Sequence, residues 1–237
     1  MKIKILTWNT GLSEGSNAAD VLDYIKSFLK EDNTIAVLQQ IPYKDPDLDW
    51  IESSSYRKFV EAFPYSEYRV FNEWTTAIMY TVIVTKVTKD TKVTEDTKVM
   101  NVKKADSITT SNREAAVCIN NSIVIYGLHA KNGKYNKSYL QSLNSVQADI
   151  FLGDFNAGDY EESENKSTFR GILKNHVCIC NMPTKEIKSG ETIIRRSCID
   201  HVFVKRELVI RCSELIVHED IKYSDHYPIT FSIEDNV

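Results

Sequence analysis

Residues 150–159 read IFLGDFNAGD, and this segment carries the strongest structural signal in the chain. Three apolar residues lead into Gly-Asp-Phe-Asn, as expected for a buried strand that ends in polar side chains. Alternate side chains of an extended chain point to the same side, so Asp154 and Asn156 are predicted to face one space. Taken alone, the segment favours a plain Asx turn after a strand over a functional site.

Other apolar runs bounded by turn residues recur along the chain and predict about eleven strands. Helical spacing of apolar residues predicts helices over residues 17–30, 136–146 and 163–174. Strands in this number with so few helices favour sheets packed face to face and covered on the outside by helices. No change of composition divides the 237 residues, so we predict a single domain over residues 1–237.

The net charge, the N-terminal segment and the cysteines limit the possible binding partners and cellular location. The formal net charge of −4 gives no global attraction to nucleic acid, so a polyanion would need a local basic patch. The N-terminal MKIKILTWNTG resembles a first strand rather than a signal peptide, so a cytoplasmic location is expected, with secretion left open. Cys178 and Cys180 lie in the apolar run VCIC, where buried thiols are favoured over a metal pair.

A short repeat, TKVTKD-TKVTED-TKVMNV, occupies residues 85–102. Its Thr and Val content favours an extended β-hairpin arm, which we place at residues 85–106. This segment holds six Lys against four acidic residues. A lysine-bearing arm could follow a phosphate backbone, but a solvated hairpin is the favoured explanation of these charges.

Five short motifs, the opening one among them, place polar side chains at the ends of apolar strands or within them. Burying an acid between Ile and Val is costly unless the acid is paired or binds a cation, so the combination predicts one shared pocket. The motifs are TWNTG with Asn9, GLHAKNG with His129, GDFNAGD with Asp154 and Asn156, CIDHVF with Asp200, and YSDHYP with Asp225 and His226.

The residue types in this pocket predict its chemistry. Carboxylate and carboxamide oxygens suit the hard cations Mg²⁺ or Mn²⁺. Histidines with carboxylate partners exchange protons near neutral pH. A hard cation, amide donors and His/Asp pairs together suit the attack of water on a phosphate ester.

The ordered set TWNTG, VLQQIP, GLHAKNG, GDFNAGD, CIDHVF and YSDHYP resembles the endonuclease/exonuclease/phosphatase superfamily of metal-dependent phosphoesterases. Within it, the pancreatic-type deoxyribonuclease branch is the comparison we make. The resemblance extends from Asn9 to His226. It implies an α/β (α+β) fold, a four-layer sandwich of two packed, mainly antiparallel β-sheets flanked by helices.

The same resemblance implies a role for each matching residue. Metal binding falls to Asn9, Gln40 and Asp225, and the catalytic set is His129, Asp154, Asn156, Asp200 and His226. In that set Asp154 orients or activates water, Asn156 donates to the phosphate, and His129 paired with Asp200 protonates the leaving oxygen or stabilises the phosphorane. His226 contacts the phosphate or acts as a base, with Glu73 as the residue that orients it. Arg113 is implied to bind phosphate.

Gln40 departs from the pattern of the superfamily, which has a metal-binding Glu in its VLQQIP motif. A carboxamide keeps the shape of that residue and removes one negative charge, so a divalent cation should bind more weakly. We therefore expect a hydrolase with altered metal dependence, most simply a nuclease that acts on DNA. The alternatives are a phosphatase or phosphodiesterase of a small-molecule or lipid phosphoester, and a binding protein that has lost turnover.

Overall fold

The computed structural model describes residues 1–14, 16–42, 54–72, 79–87, 100–157 and 173–235. Within these ranges the chain forms fourteen strands and three α-helices. The strands are β1 (Lys2–Asn9), β2 (Thr34–Pro42), β3 (Tyr68–Phe71), β4 (Met79–Lys86), β5 (Val102–Lys104), β6 (Glu114–Ile119), β7 (Ile123–His129), β8 (Ile150–Asp154), β9 (His176–Cys178), β10 (Lys185–Ser189), β11 (Thr192–Ser197), β12 (Asp200–Lys205), β13 (Ile216–Val217) and β14 (Ile229–Glu234). The helices are α1 (Ala18–Leu29), α2 (Ser54–Ala62) and α3 (Asn136–Ser142).

Two six-stranded sheets and one hairpin contain all of these strands. The first sheet has the order β13-β14-β1-β2-β4-β3, the second has the order β5-β6-β7-β8-β12-β9, and β10 and β11 form the separate hairpin. Every strand pair is antiparallel except β1 with β2 and β7 with β8. The predicted pair of mainly antiparallel sheets is confirmed.

The main core lies between the two sheets, where Ile5 and Val37 of the first sheet share one apolar cluster with Ile125 and Leu152 of the second. The sheets come so close that a Cβ atom on Gly127 would lie 2.3 Å from Cγ1 of Val37. Glycine is therefore required at this contact, because a real Cβ atom cannot approach a carbon to that distance.

The outer faces of both sheets are covered by the helices. Buried residues of α1 and α2 pack with Leu6, Trp8 and Val84 of the first sheet, whereas Leu140 of α3 packs with Phe151 of the second. These layers confirm the predicted four-layer sandwich. The helix predicted over 17–30 is α1, and the one predicted over 136–146 is α3 followed by a 3-10 turn at Leu143–Ser145. The helix predicted over 163–174 falls almost wholly outside the described residues.

Residues 88–99, the greater part of the predicted arm at 85–106, also fall outside the described residues. The flanks of this segment lie in different sheets, since β4 ends at Lys86 in the first sheet and β5 begins at Val102 on the edge of the second. The segment therefore links the two sheets. Its hairpin form stays a prediction, as does the single domain over residues 1–237.

The interpretation of VCIC as buried thiols is confirmed. Cys178 and Cys180 are both buried, and burial raises the pKa of the Cys178 thiol to about 12. Cys198 is buried nearby, and the sulfurs of Cys178 and Cys198 lie 3.9 and 3.7 Å from Nδ1 of His201. These contacts hold His201, the residue that follows Asp200 in β12, against the buried thiols.

Among the described residues, none of the helices combines the length and the apolar character that crossing a membrane would require. The expected cytoplasmic location stays a prediction.

Candidate active site

Strand ends from both sheets meet at one edge of the sandwich. The parallel register of β7 and β8 sets His129 opposite Asp154, and the antiparallel register of β8 and β12 sets Asp200 opposite the same Asp154. Asn9, the last residue of β1, reaches this point from the first sheet. The sheet registers therefore bring together residues that are up to 191 positions apart in sequence, counted from Asn9 to Asp200.

The carboxylate of Asp154 lies at the centre of this group. Its Oδ2 accepts a hydrogen bond from Nδ2 of Asn9 at 2.9 Å, and Nε2 of His129 and Nε2 of His226 lie 3.7 and 3.9 Å from the same oxygen. Asp154 is almost completely buried. Burial, followed by the negative charge of Asp200, raises the pKa of Asp154, so this carboxylate is a stronger base than an ordinary Asp.

Asp200 pairs with His226, and this corrects the predicted pair of Asp200 with His129. Nδ1 of His226 lies 2.8 Å from Oδ2 of Asp200, and the hydroxyl of Thr184 donates to the same oxygen at 2.7 Å. The physical reason is the register, since His129 extends β7 beside Asp154, whereas the loop before β14 returns His226 over Asp200. The main-chain carbonyl of His226 is held in place by the indole N–H of Trp8 at 2.9 Å.

The pKa values of the two histidines are shifted in opposite directions. Burial lowers the pKa of His226, but the charge and hydrogen bond of Asp200 together with the charge of Asp154 outweigh burial, and the net shift is upward. Burial also lowers the pKa of His129, and here the charge of Asp154 does not outweigh it, so the net shift is downward. His226 therefore holds its second proton more readily than His129 does.

The segment after β8 forms the Asx turn. Asn156 has a φ of +45°, and its backbone N–H donates to Oδ1 of Asp154 at 2.7 Å. Its side-chain Nδ2 donates to the carbonyl of Ala130 at 3.0 Å. The alternation expected for an extended strand is therefore wrong at this point, because the strand ends at Asp154. The turn brings the backbone N–H of Asn156 to the Asp154 carboxylate, and the predicted donation from the Asn156 side chain to phosphate stays a prediction.

Gln40 lies at the same edge of the first sheet as Asn9. Asn9 is opposite Gln39 in the register of β1 and β2, so Gln40 follows directly beyond that pair. It is buried, has a φ of +57°, and occupies an irregularity between Leu38 and Ile41 in the pairing of β2 with β4. A left-handed backbone in a residue other than Gly or Asn costs free energy and is concentrated at functional sites.

The donor set fits a hard divalent cation. One ligand atom each from Asp154, Asp200 and His226 lie within 4.8 Å of one another. Oδ1 of Asp200 is buried and accepts no hydrogen bond among the described residues, although a buried carboxylate oxygen normally has a partner. This cluster differs from the ligand set implied by the resemblance, because Asp225 lies at the rim, with its side chain 52% exposed.

The remaining predicted residues lie around this centre. The guanidinium of Arg113 donates to the main-chain carbonyl of His129 at 3.3 Å, so Arg113 borders the pocket. Glu73, the residue predicted to orient His226, lies outside the described residues. Among the described residues, Asp200 makes a hydrogen bond with the His226 ring. Sequence reasoning missed Thr184 and Lys185, which approach Asp200 and His226. Thr184 precedes the polar strand β10 and Lys185 begins it, and no local pattern distinguishes these two residues.

Comparison with known proteins agrees with this architecture. No protein-family model matches the sequence, and no curated protein matches it either. Among solved structures, the chain is similar to the endonuclease domain of TRAS1, a telomere-specific non-LTR retrotransposon, with a TM-score of 0.69 and 18% identity over 99% of this chain and 100% of that chain. The 3'-5' exonuclease NExo from Neisseria meningitidis gives a TM-score of 0.68 and 16% identity over 98% and 100% of the two chains.

An endonuclease/exonuclease/phosphatase family protein from Leptotrichia buccalis C-1013-b has the same architecture, with a TM-score of 0.61 and 17% identity over 98% of this chain and 100% of that chain. The protein therefore has the endonuclease/exonuclease/phosphatase fold, as the sequence motifs predicted. At this level of identity the likeness concerns the fold, and the chemistry must be argued from the site itself.

Proposed function

We propose that the protein is a divalent-cation-dependent phosphodiester hydrolase that cuts DNA. The observation that carries this proposal is the Asp154 carboxylate, which Asn9, His129 and His226 approach together while Asp200 holds His226 from behind. A buried base beside two imidazoles of opposite pKa shift suits the hydrolysis of a phosphate ester. The carboxylate oxygens of Asp154 and Asp200 would hold the cation, which would supply positive charge to the phosphate when bound.

The residues of the chain divide the remaining work. Asp154, whose raised pKa makes it a base, accepts a proton from the attacking water while Asn9 holds its carboxylate in place. His226, whose pKa is raised, donates to a non-bridging phosphate oxygen. His129, whose pKa is lowered, stays neutral and offers an N–H to the leaving oxygen as the phosphorus–oxygen bond breaks.

Two observations support a nucleic acid as the substrate class. Structures of the same fold include a retrotransposon endonuclease domain and a 3'-5' exonuclease, both of which act on nucleic acids by name. Arg113 presents a guanidinium beside His129, where a neighbouring phosphate of a polymer could be bound. DNA is our proposal within this class, and Mg²⁺ or Mn²⁺ is our proposal for the cation.

The test is the nicking of supercoiled plasmid with Mg²⁺, with Mn²⁺ and with EDTA. We expect nicking that requires the cation and that falls at least about 100-fold in Asp154→Asn. The matched control is Asp32→Asn, since Asp32 is an exposed Asp before β2, at the end of that strand away from Gln40. Hydrolysis of small phosphoesters without plasmid nicking would favour a small-molecule phosphoesterase, and phosphate binding without any hydrolysis would favour a binding protein.

A further inference from the structure

Lys185 reaches into the candidate active site from the first residue of β10. Its Nζ lies 2.9 Å from Oδ2 of Asp225 and 3.0 Å from Nε2 of His226. The backbone fixes this approach, because Lys185 forms a bridge with His226 and Glu186 N–H donates to the carbonyl of Asp225 at 2.9 Å. The ammonium is thus held at the rim by the same loop that carries two predicted site residues.

The contact between Lys185 and His226 brings an ammonium and an imidazole ring to one point at the rim. The ammonium has three N–H donors, and its contacts to Asp225 and His226 account for two of them. A third N–H can donate to an oxygen of a bound phosphate, which makes this point suitable for an anion.

The charges around the pocket also favour the binding of an anion. Gln40 carries no charge where the resemblance implies a carboxylate, and Lys185 neutralises Asp225, the acid in the implied ligand set. Together these two residues make this side of the pocket more positive and weaken its attraction for a divalent cation. The attraction for phosphate increases for the same reason.

We propose that Lys185 is a phosphate-binding residue, whose ammonium binds a non-bridging oxygen of the substrate beside His226. Its positive charge compensates for the weaker cation binding that Gln40 causes. This inference rests on the proposed function for the identity of the ligand as a phosphodiester. A merely structural ion pair with Asp225 would need neither the approach to His226 nor a position over the active-site edge.

Lys188 offers a matched control on the same strand. Its Nζ lies 3.1 Å from Oε2 of Glu186, so it forms an ion pair of similar length with a different acid. A general loss of positive charge on β10 would affect Lys188→Ala and Lys185→Ala alike, whereas a specific phosphate contact would separate them.

Binding is measured by calorimetry with inorganic phosphate and with a DNA dinucleotide in EDTA, and separately with Mg²⁺ in the absence of phosphate. We expect Lys185→Ala to weaken both phosphate ligands about 10-fold, Lys185→Arg to retain them within about 3-fold, and Lys188→Ala to leave them unchanged. Mg²⁺ should bind Lys185→Ala about 5-fold more tightly, because the variant removes one positive charge from the rim of the pocket.

Thermal melts verify the fold of each variant, and Lys185→Met serves in place of the alanine variant if the latter unfolds. Equal phosphate binding by wild type and Lys185→Ala would overturn the inference, as would equal losses in the Lys185 and Lys188 variants or an unchanged affinity for Mg²⁺. If these shifts appear but no variant cuts plasmid, the phosphate contact stands and the proposed hydrolase activity fails. If wild type cuts plasmid and the shifts are absent, the reverse conclusion holds.

Discussion

Nδ1 of His226 lies 2.8 Å from Oδ2 of Asp200, and both side chains are buried. This pair is the arrangement that the proposed hydrolysis depends on, because Asp200 both orients the ring and favours its protonated form. Replacing Asp200 by Asn removes the negative charge of the side chain but keeps its shape.

We therefore expect Asp200→Asn to lower phosphodiester hydrolysis roughly 100- to 10,000-fold. Rates on plasmid DNA at saturating Mg²⁺ measure this effect, and Asp32→Asn is the control for the loss of a carboxylate elsewhere. Wild-type rates in Asp200→Asn would show that the pair has no part in turnover.

The two histidines should titrate on opposite sides of 6.5, the ordinary pKa of an imidazole. In EDTA, NMR titration of the ring protons should give a pKa above this value for His226 and below it for His129, with His226→Gln and His129→Gln used to assign the signals. A reversed order of the two values would contradict the electrostatic roles proposed above.

The same shift makes stability depend on pH. Because the folded-state pKa of His226 is raised, its protonation stabilises the fold fully below about 6.5, and this contribution is lost as the pH rises through the raised value. Urea unfolding of wild type and His226→Gln should therefore show a difference in unfolding free energy that shrinks as the pH increases. A difference that grows with pH would refute this linkage.

Gln40→Glu should strengthen cation binding. The substitution restores a carboxylate of nearly the same shape, and Glu meets the same left-handed backbone as Gln, so the fold should tolerate it. We expect Mg²⁺ to bind at least about 10-fold more tightly, as measured by calorimetry and by a larger rise in melting temperature on adding Mg²⁺. Gln39→Glu is an unsuitable control because Gln39 is completely buried. The control is the exposed Lys30, where the variants Lys30→Gln and Lys30→Glu differ by the same carboxylate. Equal affinities in wild type and Gln40→Glu would remove Gln40 from the cation's surroundings.

Gly153 should be intolerant of any side chain. Its φ is +131°, and a Cβ atom there would lie 2.1 Å from the carbonyl oxygen of Leu128 on the neighbouring strand. Gly153→Ala is expected to lower the unfolding free energy by at least about 3 kcal/mol, since it combines backbone strain with a backbone clash beside Asp154. Gly133→Ala is the control, because Gly133 also has a positive φ but opens onto space with no atom within 4 Å. That control should cost only about 1 kcal/mol in urea unfolding, and a similar cost at both positions would contradict the clash.

The sequence by itself determined the architecture and predicted most members of the candidate site. Apolar runs of strand length predict the buried strands because side-chain burial follows the local period of the backbone. Polar residues at the ends of those runs, such as Asn9, Asp154 and Asp200, identify the pocket because such groups are costly to bury without a purpose. The ordered motifs then predicted the sandwich that the structure has.

Only the tertiary structure decided which of these residues touch. The partner of Asp200 is His226 rather than His129, because partners depend on strand register and on the path of the loop before β14. Lys185 could not be found from its neighbours in sequence, since a lysine in a polar strand usually faces solvent, and its place beside His226 arises from a bridge across 41 residues. Local periodicity shows which side chains are buried, whereas the contacts between distant side chains are set by the packing of the whole fold.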